Sequence, residues 1–427
     1  MIIRNFQNLA TTSVRKQLLL IAEAGFAAID TEAAVTRQVT YDTAGEVLSV
    51  QGKHFDLRQY KRVMCVGFGK AAFRAVSTLQ KIFKDRLTCG LVLDLQGSTI
   101  GNIVCKIGSH PYPTKVNIEA TQELVAMLSE AQEDDLIVCV VSGGGSSLLC
   151  LPHELSCEAE TSLIHALTQK GATIAELNTV RKHISKVKGG NLAKICHPAT
   201  MISLIFSDIP ETDLSLVASG PTVKDSSTVQ MAAEVLARYD VLNTCQMPSC
   251  KLVETPKEDM YFEKIYNILL MSPKNALTAM RWKAEDLGWK TRIVFEGYQG
   301  EARVLGKTFA SHINLGECIL ATGESTVKLV GSGLGGRNQE LALSAMSALK
   351  PGQVFGAFAS DGRDNTDAAG AIVDSNIQEQ AERLLLDPEW YLRQNDSTHF
   401  FEQTGGLVET GDTGANISDF VISLLPT

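Results

Sequence analysis

The sequence lacks what a membrane or a nucleic acid would demand of it. No apolar run approaches the ~18 residues that a bilayer-spanning helix needs, so a membrane partner is not expected. There is no basic stripe. The 39 Lys and Arg are outnumbered by 48 Asp and Glu, and the net charge of −9 speaks against a nucleic-acid footprint. None of the ten cysteines forms a C-x-x-C pair, so the spacing of a zinc site is missing. Cys65, Cys139 and Cys318 lie inside apolar, strand-like runs, the setting of reduced, buried thiols in a cytosolic protein. The opening Met1-Ile2-Ile3-Arg4-Asn5-Phe6 has no signal-peptide h-region, and the expected location is cytoplasmic. Internal repeats and low-complexity tracts are also absent. What remains is ordinary for a globular α/β protein: 427 residues, 44% hydrophobic and 6% aromatic, enough for roughly two or three domains at ~150 residues each.

Periodicity supplies the elements. Residues 13–35 read as one helix, with Leu18, Leu19, Ile21, Ala22 and Phe26 at helical spacing. Arg62–Val66 and Leu136–Val141 are apolar runs bounded by charge and glycine, as in strands buried on both faces of a parallel sheet. Further strands are expected at 47–50, 90–95, 103–107 and 201–206, with helices between them. The proline- and charge-rich stretch 243–263 interrupts this pattern, which places a domain boundary near Pro256 and divides the chain into 1–256 and 257–427. Beyond it, strands are expected at 265–271, 291–295, 318–321, 326–330, 354–359 and 420–424, again alternating with helices. Such alternation argues for an α/β fold with helices on both faces of a parallel sheet.

Glycine-rich loops follow several of these strands. Ser142-Gly143-Gly144-Gly145-Ser146-Ser147 ends the strand at 136–141. A helix starting near Ser146 would offer N–H groups and a dipole to a phosphate or carboxylate, with serine hydroxyls as extra donors. Gly67-Phe68-Gly69-Lys70-Ala71-Ala72 matches G-x-G-x-x-A, with Asp94 at the end of the next strand where a ribose-binding acid would sit. That fingerprint supports an NAD(P)-dependent hydroxy-acid oxidoreductase, reducing hydroxypyruvate for example. Against it, Lys70 adds an ammonium suited to a phosphate. Four Lys and Arg fall within the eight positions from Arg181 to Lys188, and Arg181 and Lys186 are candidates to hold an anionic substrate. Asp208 stands at a strand's carboxyl end, placed to accept a hydroxyl proton or hold Mg²⁺. In the second half, Gly331-Ser332-Gly333-Leu334-Gly335-Gly336 precedes Arg337 and Asn338 at a helix start. A cation there opposes the helix dipole, which suggests an anion that offsets the cost. Asp361, Asp364 and Asp367, at intervals of three residues, fit a hard-cation loop, and Glu324 is a further metal candidate.

Taken together, the segments Gly67–Ala72, Ser142–Ser147, Asn178–Gly190, Ser207–Thr222, Gly323–Thr326, Gly335–Glu340, Asp361–Ala371 and Thr410–Asp419 resemble the class II glycerate kinases, whose C-terminal part carries the MOFRL domain. The resemblance spans most of the chain. It implies a Rossmann-like α/β/α N-terminal domain, a smaller α/β C-terminal domain of MOFRL type and an active site in the cleft between them. It also implies ATP- and Mg²⁺-dependent phosphorylation of D-glycerate, most often at the 2-hydroxyl. The partners it leaves are glycerate, ATP and, as a homo-oligomer, other copies of the chain. Lys70 and Arg337 match positions important in that family. The remaining assignments follow its motifs: Gly67, Gly69, Ser142, Gly143, Gly144, Gly145, Ser146, Ser147, Arg181, Lys186, Gly335, Gly336 and Asn338 for phosphate, nucleotide or substrate; Asp208 for catalysis; Glu324, Asp361 and Asp364 for the metal. The final loop, Gly411-Asp412-Thr413-Gly414-Ala415-Asn416, departs from the family's usual Gly-Pro-Thr-Gly-Thr-Asn.

Overall fold

The computed structural model describes residues 1–209, 213–415 and 417–427. Pro210, Glu211 and Thr212 of the Ser207–Thr222 loop, and Asn416 of the final loop, lie outside the described residues. The chain divides into two compact units. One holds Thr31–Ser207 and 213–270. The other holds Met1–Asp30 and Met271–Thr427, and Asp208 and Ile209 are grouped with it.

In the first of these units, a small antiparallel sheet of β1 (Val39–Asp42), β2 (Val47–Val50) and β3 (Lys53–Asp56) precedes the main one. The main sheet contains β4 (Arg62–Phe68), β5 (Cys89–Asp94), β6 (Ile103–Ile107), β7 (Asp135–Ser142), β8 (Thr200–Phe206) and β9 (Ile265–Met271), in the order β6-β5-β4-β7-β8-β9. The pairings from β6 through β8 are all parallel. The chain therefore starts in the middle at β4, winds outward to β6, and returns on the other side with β7 and β8. That reversal opens a crevice beyond the carboxyl ends of β4 and β7, where doubly wound sheets bind their ligands. β7 is buried along its whole length, as its apolar run requires. Helix Ala72–Phe83 connects β4 to β5 and buries Ala72, Ala75, Val76, Leu79 and Phe83, spaced three or four apart.

The other unit has a six-stranded sheet of β10 (Lys290–Glu301), β11 (Glu317–Thr326), β12 (Val354–Phe358), β13 (Gly370–Val373), β14 (Leu407–Val408) and β15 (Asp419–Leu425), ordered β10-β11-β15-β12-β13-β14. Here only β10 and β11 pair in parallel, so the sheet is mixed rather than parallel as the alternation implies. Helices Ala302–Ser311 and Arg337–Ala345 pack on one face over Tyr298, Ile319, Ala321, Phe355 and Val421. Helix Ser13–Ala28 covers the other, where Phe26 meets Phe358 and Phe420 edge-on at 6.3 and 5.4 Å between ring centroids. Arg15 closes a buried bidentate pair with Asp374, both bonds at 2.5 Å.

Three further expectations differ from what is observed. The helix expected over 13–35 ends at Ala28, and a second helix, Thr31–Gln38, follows, because the chain leaves one unit and enters the other at Asp30. The division into 1–256 and 257–427 differs from the units on two counts: the first thirty residues pack with the C-terminal sheet, and β9, beyond Pro256, completes the N-terminal one. No strand forms at 327–330. The strands flanking β11 end level with Gly323 and Thr326, and Leu329 and Val330 are left 80% and 67% exposed. Among the described residues, no helix is long and apolar enough to cross a membrane.

Candidate functional sites

The crevice at β4 and β7 brings together two loops expected to carry chemistry. Ser142 Oγ accepts the Ala71 N–H at 3.1 Å, and the Lys70 N–H donates to the Gly143 carbonyl at 2.9 Å, so the two turns are pinned to each other. Gly69 has φ +116°, and a Cβ on it would come within 2.2 Å of Ser142 Oγ. Only glycine serves there. Ser142 and Gly69 thus hold the two turns of the crevice together. The helix expected near Ser146 is a single turn, Gly145–Leu148, too short for a useful dipole. Its early N–H groups are another matter: those of Gly145 and Ser146 meet no acceptor among the described residues. Ser146 Oγ lies 3.2 Å from Ser219 Oγ, which donates to Asn178 Oδ1 at 2.7 Å.

Lys70 shares this crevice with a residue to which the sequence assigns no role. A Cβ on Gly144 would lie 3.1 Å from Lys70 Cγ, 3.2 Å from His110 Cδ2 and 3.4 Å from His110 Nε2, so both side chains lie against the glycine loop. Burial, aided by the Lys70 ammonium, pushes the His110 imidazole down to about 4 and keeps it neutral near pH 7. Asp94 plays a different part from that of a ribose ligand. Its Oδ2 accepts the Phe73 N–H at 2.8 Å in the first turn of helix Ala72–Phe83, and the side chain is buried. A carboxylate therefore occupies the helix start where a dinucleotide would place its pyrophosphate.

The basic segment divides. Lys182 pairs with Asp225 at 3.0 Å and Lys188 with Glu160 at 3.1 Å, all four buried, which makes them internal ion pairs. Lys186 is exposed at the surface. Arg181 is half-buried, one helical turn along from Asn178, and makes no hydrogen bond or close ion pair among the described residues. Burial holds its pKa below the ordinary value, against the pull of Glu160.

In the other unit, Arg337 opens helix Arg337–Ala345 as expected, but the anions that offset its position are the protein's own. Its Nε and one terminal nitrogen bond to the two oxygens of Asp419 at 2.6 and 3.1 Å, and Glu324 lies at 3.2 Å. Burial works against the guanidinium's charge, yet Asp419 and Glu324 outweigh it and raise its pKa. Burial likewise pushes Asp419 up to about 7, against the pull of Arg337. Asp364 is a cap: its oxygens accept the N–H groups of Asn338 at 3.0 Å and Gln339 at 2.7 Å, and Asn338 Nδ2 at 3.1 Å. Gly336 is required there, since a Cβ would meet Asp364 O at 2.0 Å, and a Cβ on Gly335 would meet Ser397 Oγ at 2.3 Å. The glycine run thus packs against 394–397 and the acidic loop. Asp361 accepts the Arg363 N–H at 2.9 Å and is partly exposed. Among the described residues, no three of His, Cys, Asp and Glu gather as a metal site. Asp208 sits just past β8, partly exposed.

Residues 17–252 match the family described as a domain of unknown function (DUF4147), and residues 317–419 match the MOFRL family. D-glycerate 2-kinase of Thermotoga maritima is 35% identical over 382 residues, covering 85% of this chain and 91% of that protein. The crystal structure of a glycerate kinase from the same organism superposes with a TM-score of 0.81 at 31% identity, covering 97% of this chain and 100% of that one. The chain belongs to the class II glycerate kinase family. A protein of Agrobacterium vitis named putative hydroxypyruvate reductase is 36% identical over 378 residues, covering 84% of this chain and 86% of that protein, so names within reach of this glycerate kinase family member divide between two activities.

Asp419 and His110 carry no assigned role in the sequence reading, for different reasons. Asp419 had a signal: an acid opening a mostly apolar strand, here Asp419–Leu425, needs a buried partner. His110 lies in the irregular stretch Ser109-His110-Pro111 between β6 and helix Lys115–Ser129, with no periodicity to mark it. Tyr298 is a third. Its buried hydroxyl meets no partner among the described residues and has Asp419, Arg337, Glu324 and Asp364 as its charged neighbours.

Proposed function

We infer that the chain transfers the γ-phosphoryl group of ATP to the 2-hydroxyl of D-glycerate, forming 2-phospho-D-glycerate. The observation that carries this reading is the capped helix at the crevice of β4 and β7. With Asp94 on the Phe73 N–H, the G-x-G-x-x-A turn is ill suited to a dinucleotide, whereas Lys70 and the open N–H groups of Gly145 and Ser146 suit a transferring phosphoryl group. Arg181 is suited to the carboxylate of glycerate, because a half-buried guanidinium gains most from a planar anion. Arg337, held in plane by Asp419, adds a fixed positive charge. Mg²⁺, which with ATP usually needs only one or two protein carboxylates, would shield the phosphate oxygens; Asp208 and Asp361, both partly exposed, are the candidates to hold it. Asp364, fully engaged as a helix cap, is withdrawn from that role.

The test is a coupled assay. MgATP and D-glycerate should release ADP, EDTA should abolish the release, and NMR of the product should show phosphorus on the 2-oxygen. Oxidation of NADH or NADPH by hydroxypyruvate without ATP would overturn the kinase reading in favour of the name carried by the Agrobacterium relative.

A further inference from the structure

His110, held neutral, is placed for a task that the donors around it cannot perform. The Lys70 ammonium and the loop N–H groups can only donate hydrogen bonds, which suits them to anions. A neutral imidazole always presents one bare nitrogen, a hydrogen-bond acceptor that carries no charge. The His110 ring rests against Gly144 beside the Lys70 stem, with Nε2 and Cδ2 toward the loop. It makes no hydrogen bond among the described residues and is half-buried. A purely structural histidine in such a setting normally bonds to the backbone, as His183 does to the Thr179 carbonyl at 2.8 Å. The attacking group in phosphoryl transfer to an alcohol is a hydroxyl oxygen, which must direct its hydrogen to some acceptor while its lone pair faces phosphorus.

We propose that His110 accepts the hydrogen bond of the acceptor hydroxyl of glycerate and so orients that oxygen, next to the anion held at Lys70. This rests on the kinase reading above. The imidazole, driven down to about 4 by burial and by Lys70, stays available as an acceptor throughout the neutral range. An acidic side chain there would be drawn into an ion pair with Lys70 and lost as a neutral acceptor.

His110→Ala, His110→Gln and His110→Phe test the inference through steady-state kinetics with each substrate varied in turn. Losing one buried hydrogen bond should cut kcat/KM for D-glycerate about 10- to 100-fold in the Ala and Phe variants while KM for ATP stays unchanged. His110→Gln, whose amide oxygen can accept the same bond, should recover part of the loss. If His110→Ala melts early, the comparison of Gln with Phe decides, since Phe keeps the ring's bulk without its nitrogens. Wild-type kcat/KM in His110→Phe would reduce His110 to packing, and a rise confined to KM for ATP would put it with the nucleotide; either overturns the proposal. A wild-type protein that releases no ADP with glycerate would instead sink the kinase reading, which keeps the two failures apart.

Discussion

The two glycine-rich turns that end in a cation look alike in the sequence and differ in the fold. At both, a buried aspartate from elsewhere in the unit caps the helix that follows: Asp94, at the end of β5, on the Phe73 N–H, and Asp364 on those of Asn338 and Gln339. The cations then part company. Arg337 is clasped by Asp419 and Glu324, in surroundings dense with carboxylates. Lys70 lies beside a neutral imidazole, on a turn pinned to the glycine loop in which the N–H groups of Gly145 and Ser146 meet no acceptor among the described residues. A cation behind glycines therefore has two physical meanings. One is a fixed charge pre-organised by internal partners. The other stands beside backbone N–H groups that are open to an anion.

Substitution of the two cations should give the largest effects and break the comparison if it is wrong. Lys70→Ala and Arg337→Ala should each lower kcat by ~10³-fold or more, the scale of a group that neutralises a transferring phosphoryl. Their stabilities should separate. Arg337→Ala strands Asp419 in the interior and should cost about 3 kcal/mol, whereas Lys70→Ala should cost less than about 1 kcal/mol. Urea unfolding of both variants checks this; equal losses would erase the distinction between the two cations. Arg337→Lys should remain impaired, because an ammonium cannot make both bonds to Asp419.

A smaller effect separates the two aspartates of the acidic loop. Asp364→Ala removes the acceptor of two backbone N–H groups and should cost about 2 kcal/mol, with the Mg²⁺ titration of activity unchanged. Asp361→Asn should do the reverse, raising the Mg²⁺ needed for half-maximal rate and leaving the melting temperature alone. A shifted Mg²⁺ requirement in Asp364→Ala, with an unchanged one in Asp361→Asn, would exchange their roles.

The last effect is in pH dependence, about 2 kcal/mol between pH 7.5 and 5, and its sign should differ between the regions. His110 is held at about 4, below its ordinary 6.5. Between those values the unfolded chain binds a proton that the fold refuses, so this contribution to stability is lost as pH falls through the window. Asp419 is held at about 7, above 3.8, and the fold keeps a proton that the unfolded chain releases. Its contribution is present at low pH and lost as pH rises from about 4 to 7. Relative to wild type, His110→Gln should gain stability on going from pH 7.5 to 5, and Asp419→Asn should gain on going from pH 5 to 7.5. Parallel slopes in urea titrations would show that one of the two fields has been misassigned.

Much of this was legible in the chain. The buried strands at 62–66 and 136–141 announce themselves by continuous apolar runs, and the loops after them by glycine, because backbone burial and close approach leave local marks. Lys70 and Arg337 stand at turns that local reasoning can find. The caps could not be found that way. Asp364 reads as one of three spaced acids, and only the fold shows that it lies on a helix start twenty-six residues earlier in sequence. Lys182 and Lys188 read as a basic face, yet their partners Asp225 and Glu160 lie far along the chain in either direction. His110 gains its meaning from Gly144 and Lys70, neither of them near it in sequence. Local chemistry is written locally; charge compensation is not.

The placement of Met1–Asp30 on the C-terminal sheet has a consequence in time. Helix Ser13–Ala28 leaves the ribosome ahead of the rest of its unit, but its apolar face is made for Phe358, Phe420 and Met280. About 240 residues must be synthesised before the second stretch of its unit begins, roughly 10–50 s at ordinary elongation rates. For that interval the amphipathic helix has none of its own unit to cover it, an obvious foothold for a chaperone. A circular permutant that begins near Thr31 and carries Met1–Asp30 after Thr427 would abolish the wait, and should refold with less aggregation than the natural order.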